Sequence, residues 1–273
     1  MSVITSRDSK TFKELQRLTQ KKYRDRGGLF IAEGPNVTGE ALSQDGIEVL
    51  RVFAREDSGY EGLTPETVVL SPDLFDRISD TVTSQGVIAV VRKPDRGSAE
   101  DLLRHAADGI KASGASDSAG DVIVLDRLQD PGNIGTILRT AEGAGIRAAV
   151  FIKGTCDPFS PKVVRACAGS ILRMPIAFCE SAEDFIKTSL DSGFRLAVTD
   201  VRNGVPYYEA GLSRKGRKDP VALVIGNEGN GVSDTFLNAA DILVNIPMHG
   251  KLESLNASVA AALLMYEMAR PHE

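Results

Sequence analysis

The chain has 273 residues, 42% hydrophobic and 25% charged, a size and balance that fit two ordinary water-soluble domains. No apolar run reaches membrane-spanning length, and the opening stretch MSVITSRDSKTFKELQRL lacks the apolar core of a secretion signal, so no membrane contact and a cytoplasmic location are expected. Cys156, Cys167 and Cys179 form no C-x-x-C pair and only three histidines occur, which argues against a disulfide framework, a structural zinc site and a His-rich metal centre.

The net charge of −5 opposes nucleic-acid binding by the chain as a whole, yet residues 1–26 hold eight Lys/Arg against three acids. The pattern predicts one helix over about 9–25, stopped by Gly27-Gly28. At about 100° per residue, Lys10, Lys13, Lys21 and Arg24 fall within roughly 40° of Arg17, with Phe12, Leu15, Leu18 and Tyr23 on the other side. Such a basic stripe suits a phosphate backbone, with a merely solvated face as the alternative. Strands are expected at 29–32, 47–54, 67–70 and 86–93. Helices are expected in EGPNVTGEAL and SPDLFDRIS, each with Pro in its first turn. Residues 1–93 thus read as a small α/β domain.

Residues 94–121 read as a linker, with a helical piece SAEDLLRHAADGI followed by the Gly/Ser/Ala/Asp-rich KASGASDSAGD. From 122 to 273 short β-branched strands (122–125, 148–152, 174–178, 195–199, 221–226, 242–247) alternate with helices. That alternation predicts a parallel α/β sheet with helices on both faces and a ligand site beyond the C-terminal strand ends.

Three stretches at those strand ends are chemically unusual. DRLQDPGNIGTILRTAEGAG (126–145) contains N-x-G-x-x-x-R, formed by Asn133, Gly135 and Arg139. The plain alternative is Asn133 as a helix cap and Arg139 as surface charge. VIGNEGNGVSD (224–234) places Glu228 in a triple-glycine loop that neither a P-loop nor a dinucleotide fingerprint matches. Its backbone N–H and C=O groups are expected to face a polar ligand, unless it is only a glycine-rich turn. In IPMHGKLESLNAS (246–258) Ser254 is expected to cap the last helix, leaving Asn256 in the first turn and unpaired amides that suit an anion.

In this order, N-x-G-x-x-x-R, G-N-E-G-x-G and I-P-M-x-G-x-x-x-S-L-N-x-S resemble the SpoU-like (TrmH-like) ribose 2′-O-methyltransferases of the SPOUT superfamily. The resemblance covers 122–270 strongly. It extends more weakly to the front, where YRDRGGLFIAEGPNVTGEAL and TSQGVIAVV are similar to a small substrate-binding domain related to ribosomal protein L30e. It implies methyl transfer from S-adenosylmethionine to RNA, with ribosomal RNA favoured over transfer RNA and no metal. It also implies a homodimer and a deep trefoil knot at the C-terminal end of the catalytic domain. Backbone groups around Thr199, Gly226, Ile246, Met248 and Leu255 would hold the cofactor. Arg139, as base or phosphate clamp and from either subunit, would be central. Asn133 and Asn256 would orient the ribose and Arg139, and Glu228 and Ser254 would complete the network. The competing readings are a transfer-RNA methyltransferase, a non-catalytic RNA-binding or ribosome-assembly factor, and a nucleotide-binding enzyme holding phosphate at 226–231.

Overall fold

The computed structural model describes residues 3–79, 84–94, 97–113, 120–214, 217 and 219–270. The chain forms two compact units, Met1–Asp95 with Asp157–Arg173, and Arg96–Cys156 with Met174–Glu273. In chain order the first part holds α1 (Lys10–Arg17), α2 (Lys21–Gly27), β1 (Leu29–Glu33), α3 (Pro35–Ser43), β2 (Val49–Arg55), β3 (Val68–Leu70), α4 (Pro72–Asp76) and β4 (Val87–Arg92). There follow α5 (Ala99–Ser113), β5 (Val122–Asp126), α6 (Pro131–Gly143), β6 (Ala148–Ile152), α7 (Pro161–Ala166), α8 (Ser170–Arg173), β7 (Ile176–Cys179) and α9 (Ala182–Asp191). The chain continues with β8 (Arg195–Thr199), β9 (Val205–Pro206), β10 (Val221–Gly226), α10 (Asp234–Ala239), β11 (Ile242–Asn245) and α11 (Ala257–Ala269).

Among the described residues the first unit holds a four-stranded sheet ordered β1-β4-β2-β3, antiparallel except for β2 with β3. Phe12 and Leu15 of α1 and Leu74 and Phe75 of α4 close its core against Ile31, Phe53, Ile88 and Val90. Residues 157–173, which the strand–helix alternation assigns to the parallel domain, group with this unit: α7 packs on β1, and the Phe159 ring lies 5.3 Å from Phe30.

The expected helix over 9–25 is two helices. Thr19 Oγ1 turns back to the Gln16 carbonyl at 2.8 Å. The Leu18 and Thr19 carbonyls accept from the Arg24 guanidinium at 2.9 and 2.8 Å rather than from helical amides. Arg24 also meets the Asp157 carboxylate at 2.7 Å, with the two side chains only 3% and 9% exposed. Arg24 therefore does not belong to the basic stripe. It is the buried lock of the α1–α2 corner, because a guanidinium offers enough donors to satisfy two carbonyls and a carboxylate together.

The second unit holds, among the described residues, a seven-stranded sheet ordered β7-β6-β5-β10-β8-β11-β9, parallel throughout. Helices α5, α9 and α10 cover one face, where Leu103, Phe185 and Phe236 pack on Val122, Val150, Val198 and Val224. Helix α5, placed in the linker by its sequence neighbours, is thus part of this core and runs on through 113; of the expected connector at 111–121, residues 114–119 lie outside the described residues. Helices α6 and α11 pack on one another. No helix among the described residues is long and apolar enough to cross a membrane.

The β8–β9 connection fixes the geometry of the site. Val244 of β11 pairs with Thr199 on one side and Val205 on the other, so residues 200–204 pass around β11. Gly204 lies so close that an added Cβ would stand 2.5 Å from the Val244 carbonyl carbon. Asn245 Nδ2 donates to the Gly204 carbonyl at 2.7 Å, and Tyr207 N to the Asn245 carbonyl at 2.9 Å.

Candidate active site

The loops after β8, β10 and β11, with the start of α11, wall a cleft of about 860 Å³ in the second unit. Its apolar side is formed by Ile225, Val232, Val244 and Leu264, and Asp200, Arg202, Glu228 and Glu253 bring charge to it. All five residues expected to hold a cofactor line it: Thr199, Gly226, Ile246, Met248 and Leu255. Ile246, Met248 and Leu255 are half-buried residues whose backbone groups bond to no other described residue. A partly buried amide or carbonyl left unpaired beside a cavity is a hydrogen-bonding position for a ligand. Gly226 is required because a Cβ there would lie 2.3 Å from Val232 N and 2.4 Å from the Gly231 carbonyl carbon.

The glycine-rich loop does not turn its amides outward. Asn227 Oδ1 accepts from Gly229 N and Asn230 N at 3.0 Å each, while Asn227 and Gly231 exchange backbone bonds at 3.0 and 2.9 Å. With those donors consumed the loop cannot cradle a phosphate, which removes the physical basis of the nucleotide-binding reading. What it presents is the Glu228 carboxylate. The start of α11 differs from expectation in the same way. Asn256, not Ser254, is the cap, accepting from Ser258 N at 2.9 Å and Val259 N at 3.4 Å, so these amides are not free for an anion. Ser254 lines the cleft, exposed, and its hydroxyl bonds to no described residue.

Three of the expected residues are joined directly. Ser258 Oγ donates to Asn256 Oδ1 at 2.6 Å, Asn256 Nδ2 to Asn133 Oδ1 at 2.9 Å, and Asn133 Nδ2 to Glu228 Oε1 at 3.0 Å. Every donor in this chain points toward the carboxylate. Glu228 further accepts from Gln129 N and Asp130 N at 3.3 Å each. Burial pushes the Glu228 carboxyl up, but donation from Asn133 and from the amides of Glu228, Gln129 and Asp130 outweighs it and holds the group below the usual carboxylate range. Helix α6 presents Asn133 because Asp130 is its true cap, accepting from Asn133 N at 2.7 Å, with Pro131 in the first turn.

Arg139 stands apart. It is exposed on α6, makes no hydrogen bond or ion pair with any described residue, and is not among the residues lining the cleft. Lys10, Lys13, Arg17, Lys21 and Arg24 all belong to the first unit. Among the described residues no cluster of three or more His, Cys, Asp or Glu is placed to hold a metal ion.

Several supporting residues escaped the sequence reading. Asp130-Pro131 carries the ordinary signal of a helix start, three residues ahead of Asn133. Arg127 carries no such signal: a non-glycine residue at φ 60°, it is held by Thr155 Oγ1 on its amide and by Asn227 and Gln129 side chains on its carbonyl, all at 2.9 Å. That triple hold fastens the loop after β5 to the loop after β10.

This chain belongs to the SpoU rRNA Methylase family, which matches residues 121–266, while an MRM3-like substrate binding domain matches residues 9–89. It is 31% identical over 271 residues to the 23S rRNA (guanosine(2553)-2′-O)-methyltransferase RlmP of Bacillus subtilis (strain 168), covering 98% of this chain and 99% of that protein. An AdoMet-bound rRNA methyltransferase from Sinorhizobium meliloti superposes with TM-score 0.80 at 28% identity, covering 98% of this chain and 97% of that one. The AdoMet complex of the SpoU methyltransferase AviRb from Streptomyces viridochromogenes gives TM-score 0.76 at 26% identity over 96% and 97%.

Proposed function

We propose that this chain transfers a methyl group from S-adenosylmethionine to a ribose 2′-hydroxyl of RNA, with large-subunit ribosomal RNA as the substrate. The observation that carries the reading is the convergence of two separate motifs on one cleft, with Asn133 of the third joined by hydrogen bonds to Glu228 and Asn256 of the other two. The cleft fits the cofactor in size, in its apolar side and in the unpaired backbone groups of Ile246, Met248 and Leu255, which suit the edge of an adenine. When bound, the cofactor would supply an activated methyl group and leave as the demethylated thioether, so the protein's tasks are to place the ribose hydroxyl in line and to let its proton pass to solvent or a neighbouring base.

Glu228 and Asn133 fix the rim against which the ribose is oriented. Arg139, with no partner among the described residues, clamps the target phosphate bidentately; guanidinium pKa values above 12 disfavour a role as base. Its position outside the cleft favours action across a homodimer, one copy's Arg139 serving the other's cofactor. The passage of 200–204 around β11 supports a trefoil knot at this end of the sheet. The first unit serves as an L30e-like RNA-binding domain, contacting RNA through Lys10, Lys13, Arg17 and Lys21. A cytoplasmic location fits an enzyme of this substrate class.

Titration calorimetry with S-adenosylmethionine, run beside a methyl-transfer assay, tests the assignment. Arg139→Ala is expected to lose about 10²-fold or more of transfer with cofactor affinity within a few-fold of wild type. Equal loss of both would contradict the assigned role.

A further inference from the structure

We infer that Tyr23, with Arg17 and Lys22 over its ring, is a stacking site for an unpaired nucleobase of the RNA substrate. This rests on the RNA reading above and adds the state of the RNA that is held. The Arg17 guanidinium carbon lies 5.7 Å and Lys22 Nζ 6.0 Å from the centroid of the partly buried Tyr23 ring. Both distances are within the range of cation–π attraction.

Local charge explains why this corner takes an anion. Residues 3–26 contain the acids Asp8, Glu14 and Asp25, and each is engaged: Asp8 with Lys13 at 2.7 Å, Glu14 with Lys10 at 4.0 Å, and Asp25 with Lys93 at 2.7 Å. Arg24 is consumed by Asp157. Arg17, Lys21, Lys22 and Arg26 remain, all exposed and none paired with a described residue. Two of these cations, Arg17 and Lys22, stand over one aromatic ring, an arrangement that matches the groups of a nucleotide, whose base stacks while its phosphate is neutralised. A guanidinium plane, like an aromatic ring, can also stack against a base.

The site is built in advance. Arg17 ends α1 and Tyr23 lies in α2, so their contact depends on the corner between the helices. Arg24 holds that corner through the Leu18 and Thr19 carbonyls. It acts as a positioning residue that lowers the ordering cost of binding. A stacked base must be unpaired to reach the ring, which favours single-stranded or looped RNA over duplex.

The experiment uses the full chain with a single-stranded RNA oligomer carrying 2-aminopurine, the same oligomer annealed to its complement, and an acidic peptide as competitor. The wild type is expected to bind the single strand and quench the 2-aminopurine, and to bind the duplex without quenching. Tyr23→Ala should weaken single-strand binding roughly 10- to 100-fold and abolish quenching while leaving the salt slope unchanged. Tyr23→Phe should retain both, and Tyr23→Leu, which keeps apolar bulk without a π face, should lose both. Arg17→Ala should reduce the salt slope by about one. Single-strand binding and quenching that survive in Tyr23→Leu overturn the stacking site but leave the RNA reading standing. Failure of the wild type to bind any RNA overturns the RNA reading itself. Tight, Tyr23-dependent binding of the peptide alone would reassign the corner to a protein partner.

Discussion

Glu228 is exposed enough to meet substrate, yet four backbone and side-chain donors hold its carboxyl below the usual range. A depressed carboxyl contributes stability that is present above its unfolded pKa and lost as pH falls through the folded value. Urea unfolding of the wild type and Glu228→Gln should therefore differ by a constant amount at neutral pH, with the gap closing in acid below the usual carboxylate range. A gap that widened on acidification would reverse the sign of the linkage. Asn133→Asp makes a sharper test, because it sets a second carboxyl against Glu228 where a donor stood at 3.0 Å. Transfer should be lost near neutral pH, and carboxyl titration followed by NMR should show one group of the pair raised. Gly226→Ala should cost about 1–3 kcal/mol, since its Cβ meets backbone atoms that cannot rotate away.

At the level of elements, Asn256 has two roles, capping α11 and donating to Asn133. Asn256→Ala should cost about 1 kcal/mol from the cap alone, and a larger fall in transfer than in stability would reveal the second role. The Arg24–Asp157 pair predicts a different outcome. Arg24→Ala leaves a buried carboxylate without its cation and should cost about 3–5 kcal/mol, whereas Arg24→Met combined with Asp157→Leu should recover only part of it, because the Leu18 and Thr19 carbonyls still lose their donor. Chemical denaturation of the three variants would separate these cases.

Most regular elements were legible because the longer strands are short β-branched runs and most helices carry a Ser, Asp or Pro start signal; β5, β6, β8 and β10 end where periodicity places them, or within a residue of it, while the two-residue β9 and the four-residue α8 carry no such signal. The α1–α2 break was not legible. Its cause is a guanidinium reaching back to two carbonyls and across 133 residues to a carboxylate, which no local pattern contains. The same limit applies to the site. Asn133, Glu228 and Asn256 stood out by type and spacing, but which of them capped a helix depended on geometry: Asp130 and Asn256 took those positions, and Asn227 turned its loop's amides inward.

For the molecule as a whole, Arg139 stands exposed on α6, outside the cleft. Mixing two inactive proteins, Arg139→Ala and a Gly226→Val variant unable to hold cofactor, should restore transfer in heterodimers if each copy serves the other. No restoration would return Arg139 to its own cleft. S-adenosylmethionine at about 100 times its Kd should stabilise the fold by about 2.7 kcal/mol, with ATP at equal concentration doing nothing. The most direct measurement is a crystal structure with S-adenosylmethionine bound. The ligand should lie between 199–203, 225–232 and 246–257, with its adenine edge on main-chain groups of Ile246, Met248 or Leu255. Density for it elsewhere, or those three segments drawn apart around an empty cleft, would contradict the account.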